Sequence, residues 1–157
     1  MNKIKGTGVA LITPFNEDFS IDYASLEKLI NHQIDGAIDY LVVMGTTGES
    51  VVLSKSEKRE VVDFCKKINA GRLPIILGLG SNNTFALVEE IKSTEFDGID
   101  AVLSVSPYYN KPTQEGIYLH YKMIAEVCPL PIILYNVPGR TASNISSETT
   151  LRLANDF

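Results

Sequence analysis

Five short apolar runs, each followed by a segment with helical periodicity, constrain the fold of this chain more than any other feature. The runs lie at residues 8–12, 41–44, 74–77, 101–105 and 132–134. They do not alternate apolar with polar residues, which is typical of strands buried on both faces of a parallel sheet. Their spacing of roughly thirty residues is the length of a βα unit, so the sequence predicts five such units in succession.

The segments between the runs carry their own helix start signals. Ser54 and Glu57 have the spacing of a capping box, in which the side chain of each residue accepts a hydrogen bond from the backbone amide of the other. The other candidate N-caps carry side-chain oxygens that can accept from the first turn; they are Ser20 or Asp22, Asn82 or Asn83, Thr113 and Ser146. We therefore predict helices over residues 22–34 and 54–68, after residue 83, over residues 113–127 and after residue 146.

Polar or flexible residues directly follow every predicted strand. Hydroxyls, amides and glycines occur at 13–14, 45–50, 78–82, 106–110 and 135–136. A β/α barrel places its chemistry at the carboxyl ends of its strands, whereas a doubly wound sheet concentrates it at one switch point. The distribution favours the barrel, and the doubly wound sheet is the alternative.

Composition restricts the possible partners. The 157 residues suffice for one domain with a sizeable core, and no low-complexity linker divides them. The net charge of -5 argues against nucleic acid or an anionic membrane as a partner. No apolar run approaches the ~18 residues of a membrane span. Cys65 and Cys128 lack metal-ligand spacing and are predicted to be buried, reduced thiols, as suits a cytoplasmic protein.

The sequence offers no ligand set for a metal ion or a cofactor. His32 and His120 lie in helical segments without an acidic or cysteine partner at ligand spacing, so we predict structural roles for both. A Gly-x-Ser-x-Gly elbow is also missing, which argues against acyl transfer through a catalytic triad.

Three groups of residues could carry chemistry. In residues 45–48 (GTTG), the two glycines let another group approach the backbone closely, and the two threonines supply hydroxyls. The motif lacks the lysine of a phosphate loop. Tyr108, Tyr109 and Tyr135 follow the fourth and fifth strands and could relay protons, because a phenol both donates and accepts. Arg140, on a Pro-Gly turn, could clamp a carboxylate. Their alternative roles are a tight turn, core aromatics and a surface arginine.

Three motifs together resemble the dihydrodipicolinate synthase family over the whole chain. They are residues 45–50 (GTTGES), residues 107–110 (PYYN) followed by 114–116 (QEG), and residues 135–141 (YNVPGRT). The resemblance implies a (β/α)8 TIM barrel, of which residues 1–157 supply about the first five βα units as the N-terminal part of a single domain. It also implies a lyase that condenses pyruvate with L-aspartate semialdehyde through a lysine Schiff base, in lysine and diaminopimelate biosynthesis.

The resemblance assigns roles to particular residues. Thr46 and Tyr135 are implied to form a proton relay that Tyr109 completes in the site of a neighbouring subunit, so the protein is expected to be a homodimer or homotetramer. Thr47 is implied to hold the carboxylate of pyruvate, and Arg140 that of the semialdehyde.

Two departures from the family pattern affect these expectations. The family's Schiff-base lysine lies on the sixth strand, which the 157 residues do not contain, so the chain alone is expected to be inactive. Positions matching the family's lysine-binding allosteric site are Ser50, Lys55, Lys58, Asn82, Ala86 and Tyr108. Lys55 and Lys58 would repel the ammonium group of a lysine ligand, and Ala86 cannot accept its charge. Inhibition by lysine is therefore expected to be weak or absent.

Other functions stay open at this point. The GTTGES motif also fits other Schiff-base pyruvate aldolases, such as the N-acetylneuraminate lyases, and the context of Arg140 is what favours the synthase. A non-catalytic half-barrel is an alternative from a different class.

Overall fold

A computed structural model describes residues 4–157 and divides them into two compact units. The first unit comprises the residues up to Gly78 together with Asp97–Ala101. The second comprises Leu79–Phe96 and Val102–Phe157. We describe each unit separately.

The first unit contains three parallel strands and two helices. Strand β1 (Gly8–Ala10) pairs with β2 (Tyr40–Val43), and β2 pairs with β3 (Ile75–Gly78). The helices are α1 (Tyr23–Asp35) and α2 (Lys55–Asn69). They alternate with the strands along the chain, as the sequence predicts.

Each helix of the first unit is preceded by a residue whose side chain accepts a hydrogen bond from a backbone amide of the first helical turn. Asp22 caps α1 by accepting from the Ser25 amide, and Ser54 with Glu57 forms the predicted capping box of α2. The apolar face of each helix is buried with the strands, and the buried core residues of this unit include Leu26, Ile30, Leu41, Val43, Val61, Cys65 and Ile75. Helical and strand periodicity therefore place one shared core in this unit.

The second unit repeats the alternation. Helix α3 (Thr84–Ser93) precedes β4 (Ala101–Val105), α4 (Gln114–Ala125) and β5 (Ile132–Tyr135). A one-turn helix, α5 (Pro138–Thr141), and then α6 (Ser147–Asp156) follow. Strands β4 and β5 are parallel, with Val102 opposite Ile132 and Val105 opposite Tyr135.

The core of the second unit lies between its helices and strands. Its buried cluster draws mainly on α3 and α4, with contributions from Ile145 and α6, and consists of Leu87, Val88, Ile91, Ile117, Tyr118, Tyr121, Ile124, Ile145 and Leu153. Tyr121 is buried there, and its hydroxyl donates to the Ser104 carbonyl at 2.9 Å. This hydrogen bond ties α4 to β4.

The structure corrects two expectations about burial. Strand β5 was expected to be buried on both faces, but all four of its residues are only half-buried. Among the described residues β5 pairs with β4 alone, so its other edge lacks a neighbouring strand. The Cys128 thiol is likewise half-buried, whereas Cys65 is buried as expected, and burial raises the pKa of the Cys65 thiol to about 12.

Candidate active site

The turn after β2 is the candidate site of the first unit. Residues Thr46–Gly48 and Ser50–Val52 form two successive turns of 3₁₀ helix. The Gly48 amide donates to the Gly45 carbonyl at 3.0 Å, and the buried Thr13 hydroxyl donates to the Gly48 carbonyl at 2.7 Å. The backbone is therefore held in place while the Thr46 and Thr47 side chains remain exposed.

The end of β3 packs closely against the backbone at the start of this turn. A Cβ atom placed on Gly78 would lie 2.2 Å from the Met44 carbonyl oxygen and 2.9 Å from the Gly45 nitrogen. No side chain fits at that distance, so only glycine lets β3 end beside the turn that carries Thr46 and Thr47. Met44 itself adopts a left-handed conformation, with φ at 60°.

The loop after β4 presents two tyrosines differently. Tyr108 is half-buried, whereas the Tyr109 side chain is 84% exposed on a backbone with φ at 71°. The Tyr109 amide donates to the Thr141 carbonyl at 3.4 Å, and the Asn110 side-chain amide donates to the Asn82 carbonyl at 3.1 Å. The loop is thus attached both to the segment after β5 and to the segment before α3.

Tyr135 and Arg140 follow one another at the end of β5. The carbonyl of Tyr135, whose side chain is half-buried, accepts from the Ser106 amide at 3.2 Å. Arg140 lies on α5, a single helical turn from Pro138 to Thr141, which Ala142 follows with φ at 54°. The Arg140 side chain is exposed. The Tyr109 amide donates to the carbonyl of Thr141, the residue after Arg140. The structure therefore brings Tyr109 and Arg140 into one region of the second unit.

The candidate allosteric residues fall into two groups, one in each unit. Ser50 precedes α2, and Lys55 and Lys58 lie on its first turn. Ala86 is exposed near the start of α3, and Asn82 is connected through Asn110 to the loop that carries Tyr108. Lys55 is exposed and Lys58 half-buried, so two positive charges lie within one helical turn.

The histidine in α4 has a structural contact. His120 is 2% exposed, and its Nδ1 lies 2.9 Å from the Thr84 hydroxyl. Burial lowers the pKa of His120 to about 4, so the imidazole is neutral at pH 7. Within residues 4–157, no group of three or more His, Cys, Asp and Glu side chains is placed to hold a metal ion. No helix in the described part of the chain is long and apolar enough to span a membrane.

Several supporting residues were not predicted from the sequence. From the sequence, Thr13 is recognisable only as the residue after the first strand, and Gln114 and Thr141 only as members of the family motifs. Their role depends on partners distant in sequence: Thr13 reaches Gly48, and the Gln114 amide donates to the Asn144 carbonyl at 2.7 Å. The only local signal for them is a polar side chain, which directly follows a predicted strand for Thr13 and lies within a family motif for Gln114 and Thr141.

In each unit, turns with hydroxyl groups and other polar groups follow the carboxyl ends of parallel strands, which is the layout of β/α enzymes. Comparison with known proteins makes the class specific. The chain belongs to the dihydrodipicolinate synthetase family, whose model matches residues 3–156. The resemblance in the three motifs is thereby confirmed.

Relatives extend the similarity across the whole chain. The 4-hydroxy-tetrahydrodipicolinate synthase of Flavobacterium psychrophilum is 60% identical over 157 residues, which are all of this chain and 54% of the relative. That of Parabacteroides distasonis is 56% identical over 154 residues, 98% of this chain and 52% of the relative. The chain therefore spans about half the length of the curated relatives it matches.

A solved structure gives the fold class. The chloride-inhibited dihydrodipicolinate synthase from Acinetobacter baumannii, complexed with pyruvate, is 48% identical with a TM-score of 0.92. The similarity covers 96% of this chain and 52% of that one. Structures of this family are β/α barrels, so the barrel is confirmed as the fold class over the doubly wound sheet.

Proposed function

We propose that the protein to which this chain belongs is a 4-hydroxy-tetrahydrodipicolinate synthase. It condenses pyruvate with L-aspartate semialdehyde through a lysine Schiff base, in lysine and diaminopimelate biosynthesis. The observation that carries the proposal is the 60% identity, over every residue of this chain, with the F. psychrophilum protein of that name. The pyruvate bound to the A. baumannii enzyme supports pyruvate as one substrate.

The first unit supplies the pyruvate end of the reaction. Thr47 binds the pyruvate carboxylate, and Thr46 passes a proton in a relay with Tyr135. Both threonines are exposed on a turn whose backbone is fixed by the Thr13 hydroxyl and by the close approach of Gly78. A rigid turn suits this role because binding and proton transfer both depend on correctly placed hydroxyls.

The second unit supplies the clamp for the other substrate. Arg140 binds the carboxylate of the semialdehyde, since a guanidinium can donate two parallel hydrogen bonds to a carboxylate. Its exposed position on a short, hydrogen-bonded helical turn supports this role. Tyr109 completes the relay of a neighbouring subunit, which agrees with a side chain 84% exposed on its own subunit. The protein is accordingly proposed to be a homodimer or homotetramer. Its two free cysteines, Cys65 and Cys128, suit a reducing compartment, so we propose a cytoplasmic location.

The Schiff-base lysine lies outside the 157 residues in this proposal. Such a lysine needs an apolar pocket that lowers its pKa, and none of the lysines described here lies within a strand. Residues 1–157 are therefore the N-terminal part of a single barrel domain, of which residues 1–3 lie outside the described residues. This part alone is proposed to be inactive.

Trapping with borohydride tests the reaction class directly. The full-length protein is incubated with pyruvate and borohydride, and its intact mass is measured. A reduced pyruvate adduct supports the Schiff base, and its absence overturns the proposed function. Turnover with aspartate semialdehyde, compared with sugar aldehydes, then separates the synthase from the N-acetylneuraminate lyases.

Arg140→Ala tests the proposed clamp. The variant is expected to raise KM for the semialdehyde at least about tenfold, because a charge-assisted bidentate contact is lost, and to change KM for pyruvate little. Arg59→Ala, on the exposed face of α2, is the matched control and leaves both constants unchanged. Equal effects of Arg140→Ala on both substrates would remove Arg140 from the clamp.

The allosteric positions lead to a separate expectation. An ammonium ligand is repelled by Lys55 and Lys58, and Ala86 cannot accept its charge. We therefore propose that lysine inhibits this enzyme weakly or not at all. A lysine titration of initial rates checks this, and strong inhibition contradicts it.

A further inference from the structure

Thr141 uses all its polar atoms to fix the backbone around it. Its side chain is buried, with 1% of the residue exposed. The hydroxyl donates to the Ser143 carbonyl at 2.7 Å and accepts from the Ser143 amide at 3.2 Å, while its own amide donates to the Val137 carbonyl at 3.1 Å. This pattern closes the turn of α5 directly behind Arg140.

The carbonyl of Thr141 serves a different residue. It accepts from the Tyr109 amide at 3.4 Å. Tyr109 has a φ of 71°, in the left-handed region, where a bulky side chain costs about 1–3 kcal/mol and needs support from its surroundings. Thr141 is thus adjacent to Arg140 in sequence and holds the backbone of Tyr109 through space.

The segment after Thr141 is itself anchored. The Ser143 and Ser106 hydroxyls, both buried, lie 2.9 Å apart. The Gln114 side-chain amide donates to the Asn144 carbonyl at 2.7 Å, and the Asn136 side-chain amide donates to the Asn144 side chain at 2.8 Å. Because Ser143 and Asn144 are hydrogen-bonded to α4 and to the residues directly after β4 and β5, the Thr141 hydroxyl bonds to a rigid partner.

We propose that Thr141 is a positioning residue that orients both Arg140 and Tyr109. The inference rests on the function proposed above and deepens it, since it adds a residue to the same site. Tyr109 is proposed to act in the relay of a neighbouring subunit, whereas Arg140 acts in its own. Thr141 therefore connects the carboxylate clamp of one active site with the proton relay of another.

Kinetics of two Thr141 variants and one control variant of the full-length protein test this role. Thr141→Val keeps the shape but loses the hydroxyl, and Thr141→Ser restores the hydroxyl. For Thr141→Val we expect KM for the semialdehyde to rise about tenfold and kcat to fall about tenfold, because small misplacements of reacting groups are costly. KM for pyruvate stays within about twofold, since the turn that carries Thr47 is held by Thr13 and by the close approach of Gly78. In Thr141→Ser, which keeps a hydroxyl, KM for the semialdehyde and kcat are expected to stay close to the wild-type values.

The matched control removes a similar hydroxyl elsewhere. Thr150 on α6 is exposed, and its hydroxyl donates to the Ser146 carbonyl at 2.9 Å. Thr150→Val leaves all kinetic constants unchanged. Thr141→Val with wild-type constants, or a loss that Thr141→Ser does not recover, overturns the inference. If Thr141→Val does not fold, Thr141→Cys, a weaker donor of similar size, replaces it.

Hydrogen exchange tests the positioning without relying on activity. The Tyr109 and Asn110 amides are expected to exchange about tenfold faster in Thr141→Val than in wild type, and at the wild-type rate in Thr141→Ser and Thr150→Val. Unchanged exchange in Thr141→Val overturns the role of Thr141, whatever the enzyme's activity. A wild-type protein that forms no pyruvate adduct overturns the proposed function instead, so the two failures are distinguishable.

Discussion

Gly78→Ala is expected to damage both the stability of the first unit and the turn that carries Thr46 and Thr47. The added Cβ would lie 2.2 Å from the Met44 carbonyl oxygen, whereas real Cβ atoms essentially never approach closer than 3.0 Å. The backbone at Gly78 and the backbone at Met44 must therefore separate by at least about 0.8 Å. Because the obstacle is backbone and not a flexible side chain, we expect the upper end of the overpacking range, a loss of about 3 kcal/mol in the free energy of unfolding.

The assay combines urea denaturation of the full-length protein with steady-state kinetics. The displaced atoms belong to Met44 and Gly45, which lie directly before Thr46 and the proposed pyruvate ligand Thr47. If that proposal is correct, KM for pyruvate should rise together with the loss of stability. Gly139→Ala is the matched control, because its added Cβ meets nothing within 4 Å. A Gly78→Ala protein whose free energy of unfolding and pyruvate KM both equal those of wild type would refute the reasoning.

Three further predictions concern stability, each measured by urea denaturation. Tyr121→Phe should lose about 1–1.5 kcal/mol, because the Ser104 carbonyl loses a buried donor; a loss as large as that of a core cavity would contradict this. Ser54→Ala should lose about 1 kcal/mol through the α2 capping box it forms with Glu57, whereas an unchanged midpoint would show that the cap contributes nothing. The pKa of His120 falls from 6.5 to about 4 on folding, so the unfolded chain binds more protons and stability should decline as the pH drops from 6.5 to 4. His120→Asn should flatten that decline, and an unaltered pH profile would exclude His120 as its source.

Local signals in the sequence predicted the secondary structure well. Ser54 and Glu57 form the predicted capping box, and Thr113 and Ser146 cap α4 and α6 as expected. Of the paired alternatives, Asp22 and Asn83 are the caps that the structure uses. These contacts join residues three positions apart, so their geometry follows from helix periodicity alone.

Contacts between distant residues could not be predicted in the same way. The motifs marked Arg140 and Tyr109 as candidates, but nothing in the sequence shows that the Tyr109 amide bonds to the Thr141 carbonyl. The half-buried state of β5 was also missed, because an apolar run gives no information about how many neighbouring strands it has. Periodicity specifies which face of an element is apolar, whereas the surrounding chain determines what covers that face.

Within each unit, backbone strain is concentrated in the turns that carry the candidate site residues. Eight residues other than glycine have positive φ among those described, and five of them lie in the turns after β2, β4 and β5: Met44, Glu49, Tyr109, Lys111 and Ala142. Replacing such residues with glycine relieves the strain, but it also lets the turn adopt several backbone conformations. Selection for heat resistance would therefore favour changes in the same turns that hold the residues proposed to act in catalysis. An enzyme improved in that way should become more durable and slower at the same time.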